Sequence, residues 1–283
     1  MTLRPSVDRL YKGYMFDLDG TIYFGSRLLP GAREVVEYLK NAGRRVLFLT
    51  NNPLLTREDY ADKLTHMGIS TTPEQVLSSA DILAIHLSGK HAGCSAYVLG
   101  EAPLISTLRQ SGVQVIEEPV PDQKVDYVVA SFDRTFNYEK LNHGMQLLLN
   151  GATLIATHAD PACPWDGGLI PDAGPIIAAL TVCAGKRLDW IAGKPSLLTL
   201  GVALAQIGCS SGETLMVGDR LATDIQLGAD HGMDTAFVLT GGDTEQDIFN
   251  YEFRPTYVLH NLWDILPRAV SAEILEKGAS DAR

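Results

Sequence analysis

Several classes of protein are argued against by what this chain has little of. Four cysteines occur in 283 residues, Cys94, Cys163, Cys183 and Cys209, and no two form a C-x-x-C pair. That argues against a zinc site and reads as reduced packing residues in a reducing compartment. Basic residues are outnumbered: 23 Lys and Arg against 34 Asp and Glu give a net charge of −11. A nucleic-acid footprint would be basic, so no nucleic-acid partner is expected. No apolar run is long enough to cross a bilayer; the longest lies near Ile176 to Ala184. The N-terminal residues lack the apolar core of a signal peptide. Internal repeats and low-complexity tracts are also missing. The expectation is a soluble, cytoplasmic protein that binds no membrane.

What is present is enough for a large core. Hydrophobic residues make up 46% of the chain, and its length has room for two domains. Short apolar runs alternate with amphipathic stretches. Residues 13 to 18 read as a strand. Arg33 to Asn41 reads as a helix with Val35, Val36 and Leu39 on one face and Gly43 as its stop. Val46 to Leu49 follows as a second strand, then a helix capped by Thr56 and ending at Gly68, then a strand at Val76-Leu77. That alternation predicts a doubly wound parallel-sheet (Rossmann-like) α/β core. From Ser79 the alternation continues as a separate unit. Strands are expected at 97–99, 113–116, 127–130 and 154–157, and helices at 80–87, 102–110, 138–150 and 173–184. After residue 191 come a helix through Leu204, strands at 214–217, 236–239 and 257–259, a helix around 225–231, and a closing helix at 262–269. The domains expected are 1–78 plus 191–283 as a core, with 79–190 inserted as an α/β cap.

Reactive groups fall where strands must end. Asp17-Leu18-Asp19-Gly20-Thr21 closes the first strand. Thr50-Asn51-Asn52-Pro53 closes the second, and Gly218-Asp219-Arg220 closes the strand at 214–217, with Asp224 five residues further. Lys194 sits in a Gly-Lys-Pro turn. In an open α/β sheet, ligands bind beyond the carboxyl ends of the strands. Carboxylates sharing one cleft repel one another unless a cation holds them, and an all-oxygen set with retained water suits Mg²⁺. One carboxylate can attack phosphorus, and a second can protonate the leaving oxygen and then activate water. Lys194 and the Thr50 hydroxyl can neutralise the phosphoryl oxygens as charge develops.

Asp17-x-Asp19-x-Thr21, Thr50-Asn51, Lys194 and Gly218-Asp219-x4-Asp224 resemble, in order, the four motifs of the haloacid dehalogenase (HAD) superfamily, phosphatase branch. The position of the insert, between Asn51 and Lys194, is that of a class II cap, here of type IIA. Thr50-Asn51-Asn52, Phe132-Asp133-x-x-Phe136-x-Tyr138-x-Lys140-Leu141 and Ala156-Thr157-His158-Ala159-Asp160 are similar to the nitrophenylphosphatase/NagD-like subgroup. That subgroup usually carries Asn-Pro-Asp or a close variant where this chain has His158-Ala159-Asp160. The resemblance implies Asp17 as nucleophile and Mg²⁺ ligand. It implies Asp19 as general acid/base, binding the metal through its carbonyl, and Asp219 as a further ligand. Asp224 would support the metal, and Thr50, Asn51 and Lys194 would hold the phosphoryl group. His158 and Asp160 would bear on substrate choice from the cap. A small phosphorylated metabolite is the implied partner, and a homodimer through the cap is a further expectation.

Plainer roles stand beside these. Thr50 to Pro53 suits a simple strand exit, Lys194 a solvated loop, and Asp224 a helix N-terminus. His158, Asp160, Trp165 and Asp166 form a polar-aromatic cluster that reads equally as a covering loop or a rigid structural one. Phe132, Phe136 and Tyr138 are expected in the cap core, and His231 at a surface or helix end. The function expected is a Mg²⁺-dependent phosphatase of small organic phosphomonoesters, acting through an aspartyl phosphate. A phosphotransferase of the same superfamily and a non-hydrolytic phospho-accepting module are the alternatives.

Overall fold

The computed structural model describes residues 4–165, 167–267, 270–272 and 274. In chain order the first elements are β1 (Gly13–Phe16), β2 (Tyr23–Phe24), β3 (Arg27–Leu28), α1 (Ala32–Asn41), β4 (Arg45–Thr50), α2 (Arg57–His66), β5 (Val76–Ser78) and α3 (Ser79–Lys90). There follow β6 (Ser95–Leu99), α4 (Ala102–Gln110), β7 (Gln114–Ile116), β8 (Tyr127–Ala130), α5 (Tyr138–Leu149), β9 (Thr153–Ala156), β10 (Ala162–Trp165) and β11 (Gly168–Pro171). The last are α6 (Ala173–Ala184), β12 (Trp190–Ile191), α7 (Leu197–Ile207), β13 (Thr214–Gly218), α8 (Gln226–Ala229), β14 (Asp234–Val238) and β15 (Tyr257–Leu259). The chain falls into two compact units. One is Met1–Leu49, Tyr60–Val76 and Ala203–Arg283; the other is Thr50–Asp59 and Leu77–Val202.

The first unit is built on a sheet of order β15-β14-β13-β1-β4-β5. β1 lies in its middle and pairs in parallel with β13 (Gly13↔Thr214) and β4 (Gly13↔Arg45). All four residues of β1 are buried, as are those of β13. Burial on both faces explains why these strands read as continuous apolar runs rather than alternating ones. Phe16 and Phe48 lie side by side across the β1–β4 pair, with ring centroids 6.3 Å apart. Burying each ring contributes about 1.5–3 kcal/mol relative to exposure. α1 buries Val35, Val36 and Leu39 on the one face its spacing predicts.

The second unit has its own five-stranded parallel sheet, of order β12-β9-β8-β6-β7. Leu99, Val128, Ala130, Leu154, Leu148 and Leu180 form the centre of its core. Ser78 caps α3 reciprocally with Asp81: the Asp81 N–H donates to Ser78 Oγ, and the Ser78 N–H donates to Asp81 Oδ2. Asn137 caps α5 and Asp172 caps α6. The doubly wound α/β architecture with an inserted α/β unit is therefore as the alternation predicts.

Some local expectations fail. The closing helix expected at 262–269 is a 3₁₀ turn, Leu262–Ile265; residues 268 and 269 lie outside those described. The helix expected around 225–231 opens with a π-helical turn, Leu221–Ile225, and is α-helical only over Gln226–Ala229. α7 continues past Leu204 to Ile207. The loop containing Trp165 holds an antiparallel hairpin, β10–β11, and Asp166 lies outside the described residues. Phe132 is buried and Phe136 packs on the second unit's core, but Tyr138 is 85% exposed. Tyr138 is the first residue of α5, just after its Asn137 cap, where the ring clears the core-facing stripe.

Candidate active site

β1 delivers Asp17 and Asp19 into a tight turn. Leu18 is its anchor: its carbonyl accepts from the N–H groups of Thr21, Ile22 and Tyr23. Gly20 has φ +89°, a left-handed conformation that side-chain-bearing residues rarely adopt. A Cβ at Gly20 would also lie 2.4 Å from Asp219 Oδ2. The turn in Asp-Gly-Thr thus needs glycine for its dihedral and for the approach of a carboxylate.

Asp219 follows β13, beside β1 in the sheet. Its Oδ1 accepts from Thr21 Oγ1 (3.3 Å) and its Oδ2 from the Gly242 N–H (2.8 Å). Asp224 stands at the π-helical turn, where its Oδ2 accepts from the Arg220 N–H (3.1 Å). Asp17, Asp219 and Asp224 are all buried, and one oxygen of each lies within 4.8 Å of the others. Asp19 is half-buried and is not one of that group.

Burial pushes the Asp219 carboxyl well above its ordinary range, and the neighbouring charges of Asp17 and Asp224 push it further. Three converging buried carboxylates are unfavourable as anions without a compensating cation. The donors are all oxygen, matching a hard divalent cation such as Mg²⁺. The residues present therefore fit the metal that the motifs imply.

The 240–243 loop after β14 was missed by sequence reading. Thr240 Oγ1 donates to the Gly20 carbonyl (2.7 Å), Gly242 to Asp219, and Leu221 N–H to Asp243 Oδ2 (2.7 Å). The signal was a Gly-Gly pair one residue after the apolar run 236–239, a place where close backbone approach is common.

A second set of expected residues assembles within the other unit. Lys194 is buried at 3% exposure, so it is no solvated loop lysine. Asn51 Oδ1 accepts from the Lys194 N–H (2.8 Å), and Asn51 Nδ2 donates to the Lys194 carbonyl (3.1 Å) and to Asp160 Oδ2 (2.9 Å). Thr50 is buried at the end of β4, where its Oγ1 accepts from the Asn52 N–H (3.1 Å). His158 is fully buried: Nε2 donates to Asp172 Oδ1 (2.7 Å) and Nδ1 lies 2.9 Å from Thr157 Oγ1. Asp172, which sequence reading did not single out, also accepts from the Ala173 N–H as the cap of α6. Asp133 is buried and accepts from Lys140 Nζ (2.6 Å) and Thr135 Oγ1 (2.6 Å), bracing the turn into α5. Arg134 is held by Glu101 and lies 4.9 Å from the centre of the Trp165 ring. His231 is half-buried at the end of α8, donating its N–H to the Gly228 carbonyl.

A parallel α/β sheet with three buried carboxylates gathered beyond its strand ends fits an α/β protein that holds a hard cation and a ligand at that edge. Comparison with known proteins narrows this. Residues 14–114 match the model of the haloacid dehalogenase-like hydrolases, and residues 191–265 match a second, HAD-hydrolase-like model. The chain is 39% identical over 252 residues to the acid sugar phosphatase of Staphylococcus aureus, covering 89% of this chain and 95% of that one. It is 37% identical over 259 residues to the 5′-nucleotidase YutF of Bacillus subtilis, covering 92% and 99%. Among solved structures, 4-nitrophenylphosphatase from Thermotoga maritima superposes with a TM-score of 0.83 at 38% identity, covering 89% and 95%. NagD from E. coli superposes with a TM-score of 0.81 at 30% identity, covering 90% and 98%. The chain belongs to the haloacid dehalogenase-like hydrolase family, in its nitrophenylphosphatase/NagD-like phosphatase subgroup.

Proposed function

We propose that this phosphatase hydrolyses small organic phosphomonoesters, sugar phosphates foremost, with Mg²⁺ and through an aspartyl phosphate on Asp17. The observation that carries the reading is the convergence of Asp17, Asp219 and Asp224 within 4.8 Å in a buried position. Mg²⁺ would be held by those three carboxylates with the Asp19 carbonyl, and its charge would offset theirs and that of the phosphoryl oxygens. Asp17 would attack phosphorus in line, breaking the bond to the ester oxygen. Asp19 would give a proton to that oxygen and later take one from the water that hydrolyses the acyl phosphate. Of the expected phosphoryl-holding set Thr50, Asn51 and Lys194, Thr50 and Lys194 would reach the phosphoryl oxygens, with Asn51 fastened to the Lys194 backbone. The core is assigned to residues 1–78 plus 191–283, and residues 79–190 supply the cap. Within that cap, His158 and Asp160 bear on substrate choice.

Sugar phosphates lead because the acid sugar phosphatase of S. aureus is the more alike in sequence, 39% identical against 37% for the B. subtilis 5′-nucleotidase. Nucleoside monophosphates form a second class, on the strength of the likeness to the B. subtilis 5′-nucleotidase. The proposal extends to a cytoplasmic enzyme, supported by four free cysteines and by the lack, among the described residues, of a helix long and apolar enough to cross a membrane. A homodimer through the second unit is also proposed, on the resemblance to the subgroup alone.

The test is phosphate release from a panel of sugar phosphates and nucleoside monophosphates, with Mg²⁺ and with EDTA, for the wild type and Asp17→Asn. Mg²⁺-dependent release that vanishes in the variant is expected. Release that survives in folded Asp17→Asn would sink the proposal.

A further inference from the structure

An asparagine side chain has two N–H donors and one carbonyl oxygen. In Asn51 all of these are engaged inside the second unit. Both donors of Nδ2 are used, on Asp160 Oδ2 (2.9 Å) and the Lys194 carbonyl (3.1 Å), while Oδ1 takes the Lys194 N–H (2.8 Å). The Asn51 backbone is fixed as well, since Ser79 Oγ donates to its carbonyl (2.5 Å). Donation from this amide to a phosphoryl oxygen would cost one of those bonds. Lys194 lies 143 positions away in sequence, yet Asn51 grips both sides of its backbone.

Gly193 provides an independent sign of the same fit. A Cβ there would lie 2.5 Å from Asn51 Oδ1 and 2.8 Å from the Thr157 carbonyl. The backbone at Gly193 is not left-handed, so alanine would meet no strain of its own. Its conflict is with the Asn51 amide and the Thr157 carbonyl, which also accepts from the Gly193 N–H (2.6 Å).

We infer that the Asn51 side chain is a positioning element, a bracket that sets Lys194 and Asp160 relative to each other, and not a phosphoryl ligand. This rests on the proposed role of Lys194 toward the phosphoryl group. A displaced charge partner at a reacting centre costs roughly a hundredfold in rate.

The experiment measures kcat and KM for p-nitrophenyl phosphate, inhibition by inorganic phosphate, and melting temperature. It uses the wild type, Asn51→Ala, Lys194→Met, the double variant and Gly193→Ala. The expected result is a loss of about ten- to a hundredfold in kcat/KM for Asn51→Ala. The double variant should be no worse than Lys194→Met alone, and Gly193→Ala should reproduce the Asn51→Ala kinetics. A merely structural asparagine would lower the melting temperature without this coupling. Losses that multiply in the double variant, with phosphate inhibition weakened independently at each site, would overturn the inference alone. Wild-type turnover in folded Lys194→Met would overturn the role of Lys194, and the bracket's catalytic meaning with it.

Discussion

A Cβ on Gly241 would stand 1.8 Å from Asp219 Oδ2. The loop after β14 therefore presses its backbone directly against a strand-end carboxylate. The next residue, Gly242, donates its N–H to the same oxygen at 2.8 Å. Gly241→Ala is expected to push Asp219 aside and to lower kcat/KM by roughly a hundredfold. The weakened site should also need more Mg²⁺ for half-maximal turnover. A Mg²⁺ titration of p-nitrophenyl phosphate hydrolysis checks this, and an unchanged Mg²⁺ requirement would contradict it.

Asp219 also makes a prediction about pH and metal. Burial and the charges of Asp17 and Asp224 raise its carboxyl well above the ordinary value. A group so raised favours folding below its unfolded value, and that contribution is lost as pH rises through the raised one. The metal-free protein should therefore lose this stability on going from acid to neutral pH. Added Mg²⁺ should raise the melting temperature by a few degrees at neutral pH and by less at pH 5; binding at about 100 times Kd is worth ~2.7 kcal/mol. In Asp219→Asn, the metal-free protein should melt higher at neutral pH and respond less to Mg²⁺. Scanning calorimetry with EDTA and with Mg²⁺ reads both.

Glu101 titrates in the opposite sense. Hydrogen bonds from Arg134 hold its carboxyl below the ordinary value. That contribution is present above the unfolded value and is lost as pH falls through the lowered one. Arg134 is partly exposed, so the stabilisation is about 1 kcal/mol or less once solvent screening is counted. Glu101→Gln should flatten the acid side of the stability profile below about pH 4.5 and leave the neutral side nearly unchanged. A denaturation series across pH tests this; a variant with an unaltered acid limb would refute it.

Asp172 holds two roles at once, partner to buried His158 and cap of α6. Asp172→Ala leaves a buried imidazole nitrogen and a helix N–H without acceptors. The expected cost is about 2–4 kcal/mol, the sum of a buried unpaired group and a lost cap. Asp172→Asn keeps an oxygen for both donors and should cost much less. Urea denaturation separates the two; equal losses would show that the carboxylate oxygen is not what matters.

Much of this was legible because burial on both faces leaves an uninterrupted apolar run, and β1, β4 and β13 are such runs. Asp17 and Asp219 were legible because each lies just beyond the end of one, and Asp224 because it stands five residues past Asp219. What stayed hidden depends on partners distant in sequence. Nothing near His158 says that Asp172 will meet its ring, and nothing near Asn51 says that its amide will be spent on Lys194. The β2–β3 and β10–β11 hairpins are strands of two and four residues, too short to show a period. Tyr138 has the composition of a core residue but falls off the buried stripe of α5, which only the helix start decides. The wide turn at Leu221–Ile225 replaces one turn of an ordinary helix, a difference of hydrogen-bond pairing that composition does not encode.

The central place of β1 has a consequence during synthesis. β1 is made well before one of its two neighbours: β13 pairs with it from about 200 residues later. At roughly 5–20 residues per second, the ribosome delivers β13 on the order of 10–40 s after β1. Leu77–Val202 is complete before then and is free to fold while β1 waits. For that interval the newborn chain carries an apolar strand with one edge open, the state in which a holdase chaperone is most useful.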